Sequence, residues 1–294
     1  MAIACFGEML WDVLPTGKQP GGAPLNVAVH LHNFGADAQI ISRVGRDDLG
    51  AELLDFVVAK GISTDYVQQG ETHLTGVVKA NVSDNNEVVY KIVQPVAWDY
   101  IQYDDALGQL VAEADAFVFG SLVARSPASR DTLYRLLEHA GLKVFDVNFR
   151  APHYSRGVVT YLLQQADVVK LNHHELAEIM DWFGGPAAEA TALPWLAERF
   201  GLQTVCVTKG ADGAALWTDG QLYQSPGVPV TVQDTIGSGD AFLAALLTGR
   251  LAGQAHADYL AFACAAGALV ATYQGATPAI SAAQVRALAT APTA

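Results

Sequence analysis

Sulfur and positive charge are both scarce in this sequence. Its 294 residues include three cysteines, Cys5, Cys206 and Cys264, each inside an apolar run. An odd count at that density excludes a disulfide framework and leaves buried, reduced thiols as the expectation. Lys and Arg number 17 against 30 Asp and Glu, a formal net charge of −13. A phosphate backbone repels such a chain, so no nucleic-acid partner is expected. Long hydrophobic runs are missing too. The longest, residues 261–271, is too short to cross a bilayer and is rich in Ala and Gly. The opening MAIACFGEML lacks the basic start and cleavage site of a secretory leader, so a cytoplasmic protein without membrane attachment is expected. Neither an internal repeat nor a low-complexity tract interrupts the chain.

What is present is a large apolar share, 51% of residues, enough for a substantial core. Short β-branched runs alternate with amphipathic stretches. Residues 3–6, 39–44, 116–120, 143–147, 168–171 and 204–208 read as strands. Residues 24–34, 48–60, 128–140, 154–165, 175–182, 194–200 and 241–247 read as helices. That alternation predicts one α/β domain over residues 1–294, with a mostly parallel central sheet and helices on both faces. One region breaks the pattern. Residues 75–82 and 87–93 are β-rich and flank SDNN, a hairpin signature. With the segment around Asp12 and Val13 it reads either as a small lid, roughly residues 10–20 and 72–100, or as an edge hairpin of the main sheet. Its apolar residues Val77, Val88 and Tyr90 suit either a second subunit, giving a homodimer through the lid, or the main domain.

Five segments carry candidate chemistry. The first is Asp234-Thr235-Ile236-Gly237-Ser238-Gly239-Asp240, a Gly-Ser-Gly turn entering an apolar helix. Such a turn aims backbone N–H groups and a helix dipole at one point, suiting an anion that gains charge in flight. Asp240, in the first turn, suits a base taking a proton from a hydroxyl, although Ser238 or Asp240 would serve equally as a helix cap. The second is Gly21-Gly22-Ala23-Pro24-Leu25-Asn26. Its glycines permit close backbone approach and Asn26 suits a polyol, or the segment simply starts a helix. The third, Asp146-Val147-Asn148-Phe149-Arg150, ends a predicted strand. Period-two alternation would put Asp146, Asn148 and Arg150 on one side, where α/β sheets bind ligands. The fourth, Asn172-His173-His174-Glu175, opens a helix and reads as a capping box, with Glu175 also able to order a water on Mg²⁺. Its adjacent histidines share no helical face, which excludes a two-histidine metal site. The fifth is the turn Thr208-Lys209-Gly210, suited to a nucleotide or to a plain β-turn. All five follow predicted strands or begin helices, so they gather on one rim of the sheet.

Laid out together, these residues resemble the ribokinase/PfkB family of carbohydrate kinases. The resemblance runs over nearly the whole chain. It rests on GGAPLNVAVHLHNFGADAQIISRVGRDDLG at 21–50 and DTIGSGDAF at 234–242. It implies that Gly237, Ser238 and Gly239 form an anion hole and that Asp240 is the catalytic base. It further implies that Asp12, Gly21, Gly22 and Asn26, with Asn148, bind sugar hydroxyls, and that Arg150 reaches the sugar or the transferred phosphoryl group. Asn172 and Glu175 match the family's N-x-x-E motif, linked to ATP and Mg²⁺. Thr208, Lys209 and Gly210 would line the nucleotide. Residues 270–276 resemble a loop that, with Asp234, holds a monovalent cation such as K⁺. Ile236, Val270, Tyr273 and Gly275 would contribute to that site, and Ala279 stands where the family often has serine. Within the family, Val93-Gln94-Pro95-Val96-Ala97-Trp98-Asp99 and Gly7-Glu8-Met9-Leu10-Trp11-Asp12 are most similar to fructokinases. 2-Keto-3-deoxygluconate kinases share the 146–150 motif. The expected activity is transfer of the ATP γ-phosphoryl group to a primary hydroxyl, with fructose as acceptor. A non-catalytic sugar sensor is the rival of a different class. A dinucleotide oxidoreductase is not, because Gly-x-Gly-x-x-Gly does not follow the first strand.

Overall fold

The structure, a computed structural model, describes residues 1–14, 17–82 and 88–290. The chain begins with β1 (Ala2–Phe6), β2 (Leu10–Leu14), β3 (Gly17–Gly21), α1 (Ala23–Asn33), β4 (Asp37–Gly45), α2 (Asp48–Ala59) and β5 (Val67–Gly70). It continues through β6 (Gly76–Val82), β7 (Val88–Ile92), α3 (Asp105–Glu113), β8 (Ala116–Gly120), α4 (Pro127–Leu137), β9 (Lys143–Asp146), α5 (Arg156–Gln165), β10 (Val168–Asn172), α6 (His173–Phe183) and α7 (Glu189–Phe200). It closes with β11 (Thr204–Thr208), β12 (Ala214–Thr218), β13 (Gln221–Ser225), α8 (Ser238–Leu251), α9 (His256–Ala271) and α10 (Ala282–Ala289).

Nine strands form the main sheet in the order β13-β12-β11-β10-β9-β8-β1-β4-β5. All neighbours pair in parallel except at the β11-β12-β13 edge, which is antiparallel. The strands can be nearly all apolar because both faces are covered. In β1, Ile3 and Cys5 join one core cluster while Ala4 and Phe6 join the other. In β8, Ala116 and Val118 face the first cluster, and Phe117 and Phe119 the second. The first cluster holds the buried residues of α1, α8 and α9. The second holds those of α3 to α7. This is period-two burial with helices on either side. All three cysteines are buried and free, as expected.

The hairpin belongs to a second, mixed sheet of order β3-β2-β6-β7, in which β2 and β6 run parallel. It is the small lid rather than an edge of the main sheet. The tip, SDNN at 83–86, lies outside the described residues, and so do the side chains of Val88 and Tyr90. One face of the lid carries Leu10, Asp12 and Val78 towards a cavity. On the opposite face, the Trp11 indole N–H donates to the Leu49 carbonyl of α2 at 2.9 Å.

The base of the lid is fastened by a buried ion pair. The Arg125 Nε donates to Asp99 Oδ1 at 2.7 Å, and Nη2 to Oδ2 at 2.8 Å. Nη2 also donates to the Val93 carbonyl at 2.8 Å, just beyond β7. The guanidinium stacks 3.9 Å from the Trp98 ring centroid. Removing one member of such a pair strands a buried charge. Asp99→Ala should therefore lower stability by about 3–5 kcal/mol, read as a lower urea midpoint. Loss of under about 1 kcal/mol would contradict this role.

Candidate active site

Parallel strands deliver their carboxyl ends to one rim, and β1 lies where the chain switches direction across the sheet, between β8 and β4. Glu8 follows β1, Asn148 and Arg150 follow β9, and Lys170 lies near the end of β10. Opposite them, Gly237 starts α8. Its backbone sits at φ 80°, a left-handed value that glycine adopts freely, and any side chain there would overlap the Ala276 carbonyl. The turn is thus locked against the loop after α9. His30 adds to this lock. It is fully buried, its Nε2 lies 2.9 Å from the Ala276 carbonyl oxygen, and so this nitrogen carries the proton. Burial pushes its pKa down to about 4, which keeps it neutral.

Asp240, in the first turn of α8, is buried and takes a hydrogen bond from Asn26 Nδ2 at 2.8 Å. Neither Ser238 nor Asp240 caps the helix through its side chain, so the capping alternative does not describe this turn. The Ser238 amide donates to the Thr235 carbonyl at 3.3 Å and the Asp240 amide to the Gly237 carbonyl at 3.1 Å, so among the described residues the Gly237 and Gly239 amides are the donors left for an anion. Burial raises the Asp240 pKa above the ordinary 3.8. The positive charge of Lys170, the Asn26 hydrogen bond and Arg150 pull against that rise.

Two cavities meet at this point. One, of about 260 Å³, is lined by Glu8, Leu10, Asp12, Gly22, Asn26, Asn148, Arg150, Lys170, Gly237 and Asp240. Lid residues Val78 and Ile92 cover it. The other, of about 520 Å³, is lined by Thr208, Gly210, Gly213, Gly227, Val228, Pro229, Val230, Ser238, Phe242 and small residues of α9, among them Gly267 and Ala268. Thr235 and Gly239 line both. A group bound in either cavity reaches the other at the start of α8.

Several sequence expectations change in detail. Asn148 and Arg150 do line the first cavity, but not by alternation. The strand ends at Asp146, and Asn148 adopts φ 39°, a left-handed turn that Asn tolerates. Asp146 points elsewhere, into an ion pair with Lys170. Lys209 turns away from the second cavity to meet Glu189 at 3.1 Å. Asn172 caps α6, accepting from the His174 and Glu175 amides at 2.9 and 3.0 Å. Glu175 is buried, with Oε1 accepting from the Phe149 amide and Oε2 from the Asn172 amide, both at 2.8 Å. It fixes the turn that carries Arg150. No cluster of three or more acidic, His or Cys side chains suited to a metal exists among the described residues. Asp234 accepts from the Ile236 and Gly275 amides, each at 3.0 Å. It joins the two segments whose carbonyls were expected around a monovalent cation. The Val270 carbonyl is already engaged by the Tyr273 amide at 2.9 Å, leaving one lone pair.

Three contributions escaped the sequence. The segment 227–232, GVPVTV, walls the larger cavity without carrying a motif. Glu8 stood only as one letter of the Gly7–Asp12 stretch, with no role of its own. Lys170 sat unremarked in VVKLN, although a lysine in an all-apolar strand must be paired if it is buried.

Residues 6–283 match the pfkB family carbohydrate kinases. The chain belongs to that family. Among the relatives of this sugar kinase, an Escherichia coli fructokinase is 33% identical over 257 residues, 83% of this chain and 82% of that protein. A Klebsiella pneumoniae fructokinase is 31% identical over 300 residues, 94% of each. The crystal structure of a Xylella fastidiosa fructokinase with bound ATP superposes with a TM-score of 0.85 at 27% identity, covering 98% of this chain and 97% of that one. Among the described residues of the kinase, no helix is long and apolar enough to cross a membrane.

Two carboxyls of the smaller cavity couple its burial to pH. Burial pushes Glu8 up to about 7 and Asp12 up to about 6. Folding thus favours their protonated forms, so stability falls as pH rises from their ordinary values near 4 through those raised ones. Glu8→Gln should flatten that fall and raise stability at pH 8 by up to about 3 kcal/mol, at 1.36 kcal/mol per pH unit. Urea melts of both proteins at pH 5 and pH 8 check it. An unchanged pH dependence would contradict a buried, strained Glu8.

Proposed function

We propose that this kinase transfers the γ-phosphoryl group of ATP to a primary hydroxyl of fructose, with Asp240 as base. The observation that carries the reading is the meeting of two cavities at Thr235 and Gly239, one residue from Asp240. The larger and more apolar cavity suits an adenine nucleotide. The smaller is polar and lid-covered, just below the usual small-ligand range of roughly 300–1,000 Å³, and suits one small sugar.

In the proposed reaction, Asp12, Asn26 and Asn148 hold the sugar hydroxyls. Asp240 accepts the proton of the attacking hydroxyl as its oxygen bonds to the γ-phosphorus. The bridging P–O bond breaks, and ADP leaves with the electron pair. The Gly237 and Gly239 amides meet the charge that develops on the transferred group. Arg150 closes the sugar end. Mg²⁺ would arrive with the phosphates of the nucleotide and, when bound, would supply further charge neutralisation. K⁺, where bound near Asp234, would stiffen the turn before α8. The lid excludes water, which would otherwise compete as acceptor.

The charge balance of the sugar cavity supports a neutral acceptor. Glu8, Asp12 and Asp240 line it with only Lys170 and Arg150 as cations, and Lys170 is already paired with Asp146. An acid sugar would add a fourth carboxylate. A second reading, 2-keto-3-deoxygluconate, rests on the exposed Arg150, whose side chain is bound only to the Phe149 carbonyl at 2.9 Å among the described residues. The fructokinase relatives favour the first.

Two measurements test this. With ATP·Mg²⁺, ADP release should be fastest with fructose among fructose, ribose, 2-keto-3-deoxygluconate, adenosine and glucose. Preference for 2-keto-3-deoxygluconate would move the assignment to the second reading, and silence throughout would favour a sensor. Asp240→Asn should lower kcat at least ~10²-fold, the scale of general-base catalysis. Near-normal turnover would remove Asp240 from the mechanism.

A further inference from the structure

Lys170 is a charge placed where a strand normally keeps apolar residues. It is 6% exposed, in the run VVKLN of β10. Alternation puts it on the same face as Val168, the face covered by α8. On the neighbouring strand its register partner is Asp146, which alternation with Val144 turns to that same face. The ammonium takes both oxygens of Asp146, at 3.0 and 3.2 Å. A salt bridge buried this deeply costs heavy desolvation and is poor evidence of a stabilising role. Its position supplies another reason. Lys170 lines the same cavity as Asp240, and a β-carbon built on Gly239 would lie 3.1 Å from Nζ. The ammonium is therefore next to the backbone expected to receive the phosphoryl group, at the point where both cavities meet.

We propose that Lys170 is a catalytic residue of the phosphoryl transfer, its ammonium contacting the group in flight beside the Gly239 amide while Asp146 fixes its position. It keeps its proton throughout and acts by charge alone. The inference rests on the reading of Asp240 as base. Lys170 also has a second effect, because it is the largest influence opposing the rise that burial imposes on the Asp240 pKa. The charged groups around the pair are Asp146, Glu8, Arg150 and Glu175. None of them supplies a second cation as deeply buried. Asp146 thus holds Lys170, and Lys170 in turn helps keep Asp240 ionised.

Lys170→Met alone would strand the Asp146 carboxylate, so the test uses Lys170→Met/Asp146→Asn, which removes both charges. The proposal expects three results together: a melting temperature close to that of the unaltered protein, kcat lower by ~10²–10³-fold as for loss of one transition-state donor, and sugar KM within about threefold. It also expects the acid limb of the kcat–pH profile to move to higher pH, a change that a merely structural pair would not cause. Should the double variant fail to fold, Lys170→Gln keeps a donor to Asp146 and removes only the charge, and the same kinetic results are expected. Turnover within about threefold of normal, with an unmoved acid limb, in whichever variant folds would overturn the proposal. If Asp240→Asn is inactive while those variants are normal, only the role of Lys170 fails. If Asp240→Asn is also normal, the reading of the base fails with it.

Discussion

A carboxylate buried at the start of a helix is the constraint on which the rest of this structure depends. As the proposed base, Asp240 has to be buried, because water near it would compete with the acceptor hydroxyl. In that role it also has to be ionised, because a protonated acid cannot accept a proton. Burial opposes ionisation. The fold answers with one short hydrogen bond from Asn26 and with positive charge from Lys170 and Arg150. Each comes from a different element: α1, β10 and the turn after β9. The parallel sheet with its crossover helices is what brings three such distant pieces of sequence together.

The same logic reaches the turn before α8. Its glycine is left-handed, its shape is keyed to the Ala276 carbonyl, and Ala276 is held by a buried neutral histidine. Asp234 ties that turn to Gly275 by two backbone amides. The amides proposed to meet the anion are thus held in place by packing, which is how such donors gain their effect. Across the sugar cavity the lid stands on the Asp99–Arg125 pair and packs its reverse face on α2. One side of the site is rigid and the other is a sheet attached at its base.

Much of this was legible in the residues. Strands such as Ala116–Gly120 and Thr204–Thr208 are continuous apolar runs because both of their faces are covered, and the sequence reading places them at the bounds observed. The two long signatures marked the start of α1 and the Gly-Ser-Gly turn that enters α8. Where the reading missed, a tertiary contact had decided the outcome. Asn148 leaves the strand through a left-handed residue, which alternation does not foresee. Lys209 is drawn off by Glu189 on α7, and Glu175 spends both oxygens on backbone amides. Lys170 went unnoticed because its partner, Asp146, is 24 residues away and adjacent only through strand register. The edge strand β13 carries Gln221, Gln224 and Ser225 among its five residues, so it gives no signal as strong as the parallel strands.

The most direct test of the account is the dependence of kcat on pH for the unaltered protein, at saturating ATP·Mg²⁺ and sugar. The account predicts a single acid limb, with kcat falling tenfold per pH unit below one pKa that lies above the ordinary aspartate value of 3.8. A rate that stays flat down to the pH at which the protein unfolds would mean that no buried carboxylate has to be ionised for turnover, and would contradict the assignment of Asp240.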